Sequence, residues 1–203
     1  NINQYNDERR ELDKKITDEA NAIIDEFANM EDRKAIIVYN PGWHKGVIGI
    51  VASRLTEKYY RPAVVLTKSS ELITGSARSV TGFDIYKAIE NCRDLLENFG
   101  GHTYAAGLSL KEENLDEFTE RFLKLAADEI IPEQMIPQID IDAVLDLKDI
   151  NTKFMSELKK MNPFGPDNQK PVFCSLNVKD YGTSKLVGKE LEHIKLELVD
   201  NKS

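Results

Sequence analysis

Between Ala35 and Ala126 the apolar residues keep changing period, and that alternation leaves few folds open. Ala35-Ile36-Ile37-Val38-Tyr39 is a short continuous apolar run, the mark of a buried strand. Val47, Ile48, Ile50, Val51 and Leu55 follow at helical spacing, predicting a helix from Val47 to Tyr59. Ala63 to Thr67 and Leu72 to Val80 read as two further strands, joined by Ser69-Ser70-Glu71. Asp84 caps a helix expected to run through Asn98, with Ile85, Ala88, Ile89, Cys92, Leu95 and Leu96 turned inward. Tyr104-Ala105-Ala106 suggests a turn and Leu108-Ser109-Leu110 a strand. Asn114 then caps a last helix built on Leu115, Phe118, Phe122, Leu123 and Ala126. Strand, helix, strand, strand, helix, strand, helix describes a compact α/β domain over residues 32–131.

The flanks differ. Asn6 to Phe27 predicts one helix with Asn6 as its cap; Leu12, Ile16, Ala20, Ile23, Ile24 and Phe27 form its apolar stripe and the other face is charged. With few apolar residues before it, residues 1–31 are expected to connect this domain to another. Pro132 and Pro137 mark a linker. Beyond it Ile139-Asp140-Ile141-Asp142 alternates like a strand, Leu147 to Met161 is amphipathic, Asn162 to Asn168 is a long turn, and Pro171–Lys179 and Leu191–Val199 are strand-like. These strands are too few to close a barrel, so residues 132–203 are expected to form a truncated β-rich module. The first residue is Asn, and no basic and apolar leader follows it, so the expectation is a piece of a longer cytoplasmic protein. No stretch reaches the roughly 20 apolar residues of a membrane span, so no membrane partner is expected. Cys92 and Cys174 stand far apart and read as reduced thiols.

A net charge of −8 argues against a general nucleic-acid coat. The charge is uneven, however. Residues 111–150 hold twelve acids against four bases, whereas residues 43–110 hold eight bases against six acids. A polyanion is tolerated in that middle segment, which also contains Asn98-Phe99-Gly100-Gly101-His102-Thr103-Tyr104-Ala105-Ala106-Gly107. A glycine doublet followed by a donor side chain suits a phosphate; it equally suits a tight turn before a buried strand. Alternation along Leu72–Val80 puts Ser76 and Arg78 on one face and Ala77 and Ser79 on the other. Arg78 is then either a ligand-facing arginine among small residues or an edge-strand arginine in water. Trp43-His44-Lys45-Gly46 opens the Val47 helix, where bare N–H groups favour an anion; a loop packed over the core is the other reading, and for Trp43 packing ranks above base stacking.

Taken together, these residues resemble the C-terminal half of the RecJ family, the single-strand-specific DNA exonucleases of bacteria. Tyr5-Asn6-Asp7-Glu8-Arg9 and its helix are similar to the family's interdomain helix. Trp43 to Leu55 is similar to the motif that opens its DHH-associated domain. Gly75-Ser76-Ala77-Arg78-Ser79, and Phe99 to His102 with Ala105-Ala106-Gly107, are similar to that domain's substrate-binding motifs. Asn162-Pro163-Phe164-Gly165, with Pro171 and Phe173, resembles the start of the family's oligonucleotide-binding (OB) module. The fold implied is a compact mixed-sheet α/β domain, preceded by an interdomain helix and followed by a partial OB-type module.

The resemblance implies roles. Arg78 would pair with a backbone phosphate through its planar fork, and His102 would donate to one, placed by the Gly100-Gly101 main chain. Ser76 and Ser79 would add hydrogen bonds, and His44, Lys45 and Gly46 would line the groove from the other side. The family's metal centre lies in an N-terminal DHH domain, which would bring two divalent ions, Mn²⁺ or Mg²⁺. This sequence has three histidines, His44, His102 and His193, and no Asp-His-His run; Asp140 and Asp142 read as strand alternation. Hence no catalytic residue, metal ligand or cofactor is expected in this chain. The implied function is the single-stranded-DNA-binding portion of a 5′→3′ exonuclease of repair and recombination, with the DHH domain and single-stranded DNA as partners. The polarity comes from the resemblance alone. Two rivals remain. A DHH-family phosphoesterase acting on short oligoribonucleotides or nucleotide phosphates would not need the module after residue 132. A non-catalytic RNA-binding domain, like that ending alanyl-tRNA synthetases, would lack the Trp43-His44 motif and the Asn162–Gly165 turn.

Overall fold

The computed structural model describes residues 2–27, 29–188 and 190–200. The chain divides after Pro137 into two compact units. The first contains α1 (Ile2–Asp25), β1 (Ile36–Tyr39), α2 (Ile48–Tyr59), β2 (Ala63–Ser69), β3 (Leu72–Arg78), α3 (Ile85–Glu90), β4 (Leu96–His102), β5 (Ala105–Leu110) and α4 (Leu115–Glu129). Its five strands form one sheet in the order β1-β2-β3-β5-β4. Only β1 and β2 are parallel, bridged by α2; the other neighbours are antiparallel.

Each face of the sheet buries its own cluster. Ile36, Val38, Ala63 and Val65 meet Val51, Ala52 and Leu55 of α2 and Ile16, Ala20 and Ile24 of α1. On the opposite face Ile37, Val64, Leu66, Ile73, Leu108 and Leu110 meet Ile85 and Ile89 of α3 and Phe118 and Phe122 of α4. Fully burying each such side chain is worth ~1.5–3 kcal/mol. The α1–α2 contact has a polar seam. Asp13, only 5% exposed, accepts bonds from Arg54 at 2.7 and 2.9 Å, and Trp43 Nε1 donates to Glu19 at 2.8 Å. Bonding to Asp13 holds the Arg54 guanidinium above its ordinary pKa. Trp43 is therefore packed and bonded, not offered to a base.

Five sequence expectations change here. The first helix already begins at Ile2, so Asn6 lies within it and does not cap it. The Asp84 cap forms, its carboxylate accepting from Lys87 N at 3.1 Å, but the helix ends at Glu90. A short 3₁₀ turn over Arg93–Leu95 follows, and residues 96–102, expected as helix end and glycine turn, are an edge strand. The expected turn at Ala105-Ala106 belongs to β5. Asn114 does not cap α4 with its side chain; its amide holds the Leu95 carbonyl at 3.0 Å, fixing the turn that feeds β4. Cys92, under that turn, is fully buried, and desolvation pushes its thiol up to about 11.

The second unit contains β6 (Ala143–Val144), α5 (Thr152–Lys160), β7 (Phe173–Cys174), β8 (Val178–Asp180), β9 (Lys185–Val187), β10 (His193–Lys195) and β11 (Leu198–Asp200). β6 pairs parallel with β7; β8 pairs with β11 and β9 with β10, both antiparallel. Residues 139–142 are not a strand: Asp142 N–H bonds Val172 O at 2.9 Å, and its carboxylate accepts from Val172 N at 2.8 Å. The helix expected from Leu147 starts after Asn151, whose side chain caps it by accepting from Phe154 N at 3.0 Å. The long turn is tied by Asn168, which donates to the carbonyls of Met161 and Pro163. Among the described residues of this unit no side chain is buried.

Candidate nucleic-acid interface

Strand pairing places four of the expected site residues, Ser76, Arg78, Gly100 and His102, on one surface. In antiparallel sheets directly opposed residues share a face, and so do residues two apart on a strand. Arg78 opposes Ala105, and Ala105 opposes His102. One row on, Ser76 opposes Gly107 and Gly107 opposes Gly100. One row further, Thr74 opposes Ser109 and Ser109 opposes Asn98. These three rows make a nine-position shelf over β3, β5 and β4, about 10 Å across and ~14 Å long. The shelf shares its face with the α1–α2 cluster, since Ser76 opposes Val65 and Arg78 opposes Ala63.

The helices stop short of it. Gly49, at the start of α2, abuts Ser76 and Arg78: a Cβ there would stand 3.1 Å from Ser76 Oγ and 3.2 Å from Arg78 Nη2. Past that edge the sheet is bare. A Cβ at Gly100 would meet nothing within 4 Å, and one at Gly107 only a carbonyl oxygen at 3.8 Å. The middle row is thus a floor of exposed main chain. Gly101 serves the opposite face. Its φ is +149°, and a Cβ would overlap Ala105 O and Ala106, so glycine is needed for the strand itself.

Arg78 curls back over its strand, donating from Nη1 to Ala77 O at 2.8 Å and to Ser76 Oγ at 3.1 Å. Among the described residues it has no carboxylate partner, and its guanidinium lies over Ser76 beside Gly49, at the edge of the floor. His102 Nδ1 accepts from Tyr104 N–H at 3.3 Å, and His44 Nδ1 accepts from Gly46 N–H at 3.1 Å. In the neutral tautomer this assigns, each exposed ring presents Nε2–H as a donor. His44, Lys45 and Gly46 are exposed immediately before α2, but none hydrogen-bonds to Arg78, Ser76 or His102. Ser79 stands apart. Its hydroxyl donates to Phe83 O at 2.7 Å and its N–H to Tyr104 O at 3.0 Å, so it braces the loop after β3 against the hairpin carrying His102.

Sequence reasoning missed Thr74 and Ser109; it had Asn98 and Gly107 in the glycine stretch and Gly49 near the helix start, without placing them on this surface. Period-two counting along residues 96–102 finds Asn98, Gly100 and His102 on one face, but only once that stretch is read as a strand. Among the described residues no group of three or more His, Cys, Asp or Glu could hold a metal ion. Among the described residues no helix is long and apolar enough to cross a membrane.

Comparison with known proteins agrees with this order of parts. Residues 32–128 match the DHHA1 domain and residues 141–203 the RecJ OB domain. The chain is 36% identical over its whole length to the single-stranded-DNA-specific exonuclease RecJ of Bacillus subtilis, covering 26% of that protein. It is 30% identical over 96% of its length to the RecJ of Haemophilus influenzae, covering 35% of it. It also superposes on the crystal structure of Thermus thermophilus RecJ in complex with Mn²⁺, with a TM-score of 0.80 and 25% identity over 97% of this chain and 28% of that one. The chain thus spans about a quarter to a third of these relatives. With a DHHA1 domain, then a RecJ OB domain, the chain belongs to the RecJ family.

Proposed function

We propose that this chain is the single-stranded-DNA-holding portion of a RecJ-type exonuclease, and that the shelf is where the strand is held. The observation that carries this is Arg78, an arginine with no carboxylate partner among the described residues, at the rim of a bare glycine floor, with His102 in its own row across β5. A planar guanidinium suits a phosphodiester, and an Nε2–H donor opposite it can share the same group. Gly100 and Gly107 let a sugar lie against the main chain. Ser76 adds a hydroxyl beside Arg78, and Gly101 lets β4 pair closely with β5 beneath His102. His44, Lys45 and Gly46 line the approach from the α2 end, and Ser79 acts through the loop it braces.

The domain boundaries follow as part of this reading: residues 1–31 connect, 32–131 hold substrate, and 132–203 extend the strand's path. Hydrolysis then falls to a DHH domain with Mn²⁺ or Mg²⁺, in a cytoplasmic enzyme of repair and recombination working 5′→3′. The shelf positions the scissile bond for that centre. A phosphoesterase of short oligoribonucleotides would use the same shelf; the OB domain after Pro137 favours the longer strand.

The test is turnover on single-stranded DNA by the full-length enzyme carrying Arg78→Ala or His102→Ala. Losing a hydrogen bond to a charged group costs about 1.5–3 kcal/mol, so kcat/KM should fall roughly ten- to hundredfold in each. Wild-type turnover in both variants would overturn the assignment.

A further inference from the structure

The third row of the shelf is not used by that account, and its chemistry differs from the first. Asn98 is exposed on the edge strand and Ser109 is half-buried beside it, and among the described residues neither side chain has a hydrogen-bond partner. Thr74, the third member, makes only a long 3.4 Å bond to Leu108 O. The row is uncharged but rich in unused donors and acceptors. It lies beyond the Gly107–Gly100 floor from Arg78 and His102, on the same face, four residues along β3 from Arg78. That places the two polar rows ~14 Å apart with bare main chain between them. One nucleotide on the Arg78 row leaves the far row empty; an extended strand lying along β3 meets both.

We infer that the Thr74–Ser109–Asn98 row is a second, neutral subsite that hydrogen-bonds the sugar–phosphate backbone beyond the nucleotide held at Arg78, so that the shelf recognises an extended strand of two or more nucleotides rather than a single phosphate. The inference rests on the strand-holding reading above. It divides labour between the rows. Arg78 neutralises charge and releases counterions, whereas Asn98 and Ser109 add hydrogen bonds and fix direction without a salt-dependent term.

The experiment measures binding of thymidine 5′-monophosphate, the dinucleotide pdTpdT and a thymidine 20-mer to the full-length protein, across a salt series. The double variant Asn98→Ala/Ser109→Ala should bind pdTpdT and the 20-mer roughly threefold to tenfold more weakly per residue changed. Its mononucleotide affinity and its salt slope should match the wild type. Asn98→Asp, which keeps the side chain's size, should weaken pdTpdT further at low salt. Arg78→Ala should weaken all three ligands. Unchanged pdTpdT binding in the double variant overturns the second subsite while leaving the strand-holding reading intact, as does an equal loss for the mononucleotide. Failure of the wild type to bind any of the three overturns that reading itself.

Discussion

At the scale of single residues, adjacent glycines have opposite reasons to exist. Gly101 is required by the backbone: its φ of +149° and its contact with Ala105 O and Ala106 exclude a side chain. Gly100 is in ordinary strand geometry with open space above it. We therefore expect Gly101→Ala to lower stability by about 2 kcal/mol or more, through strain and overlap in β4. Gly100→Ala should leave stability within about 0.5 kcal/mol, because its methyl enters solvent, yet it should weaken DNA binding by raising the shelf floor. Urea unfolding and a binding titration on the two variants separate these outcomes. Equal destabilisation by both would mean that the doublet is a structural turn, the plainer of its two sequence readings.

At the scale of elements, the α1–α2 seam carries a prediction. Asp13 is buried and takes its strongest bonds from Arg54; its remaining partner is Thr17 Oγ1 at 3.3 Å. Arg54→Ala strands that carboxylate and should cost about 1–3 kcal/mol in chemical unfolding. Asp13→Ala/Arg54→Ala together should cost less than the sum of the singles, as coupled partners do. Additive costs would mean that the seam contributes nothing as a pair. Most elements were legible beforehand, because α2, α4 and β1–β3 declare themselves by apolar period. What could not be read was β4. Ile85, Ala88, Ile89, Cys92 and Leu95 continue a helical spacing past Glu90, and nothing local reveals that Leu96–His102 pairs with β5, with a register shift between Leu96 and Asn98. Non-local pairing overrode local period there. The same error concealed part of the site: Ser76 and Arg78 fell on the correct face by alternation, while Asn98 and Gly107, although inside the glycine stretch, could not be assigned to that face.

At the scale of the whole molecule, the two units stand on different physical footings. The first has a buried cluster on each face of its sheet. The second shows short paired strands and one helix, with an edge-on contact of Phe154 and Phe173 at 5.3 Å, and no buried side chain among its described residues. The shelf lies wholly in the first, on a sheet face that α2 meets at Gly49, beside Ser76 and Arg78. The overall charge of −8 opposes a polyanion, so binding must come from local placement of few charges. That makes one measurement decisive: the salt dependence of single-stranded DNA binding by the full-length protein, wild type against Arg78→Ala. If Arg78 neutralises one phosphate, the variant binds more weakly and the slope of log K against log salt becomes shallower by about 0.7. A variant with wild-type affinity and wild-type slope would contradict the account.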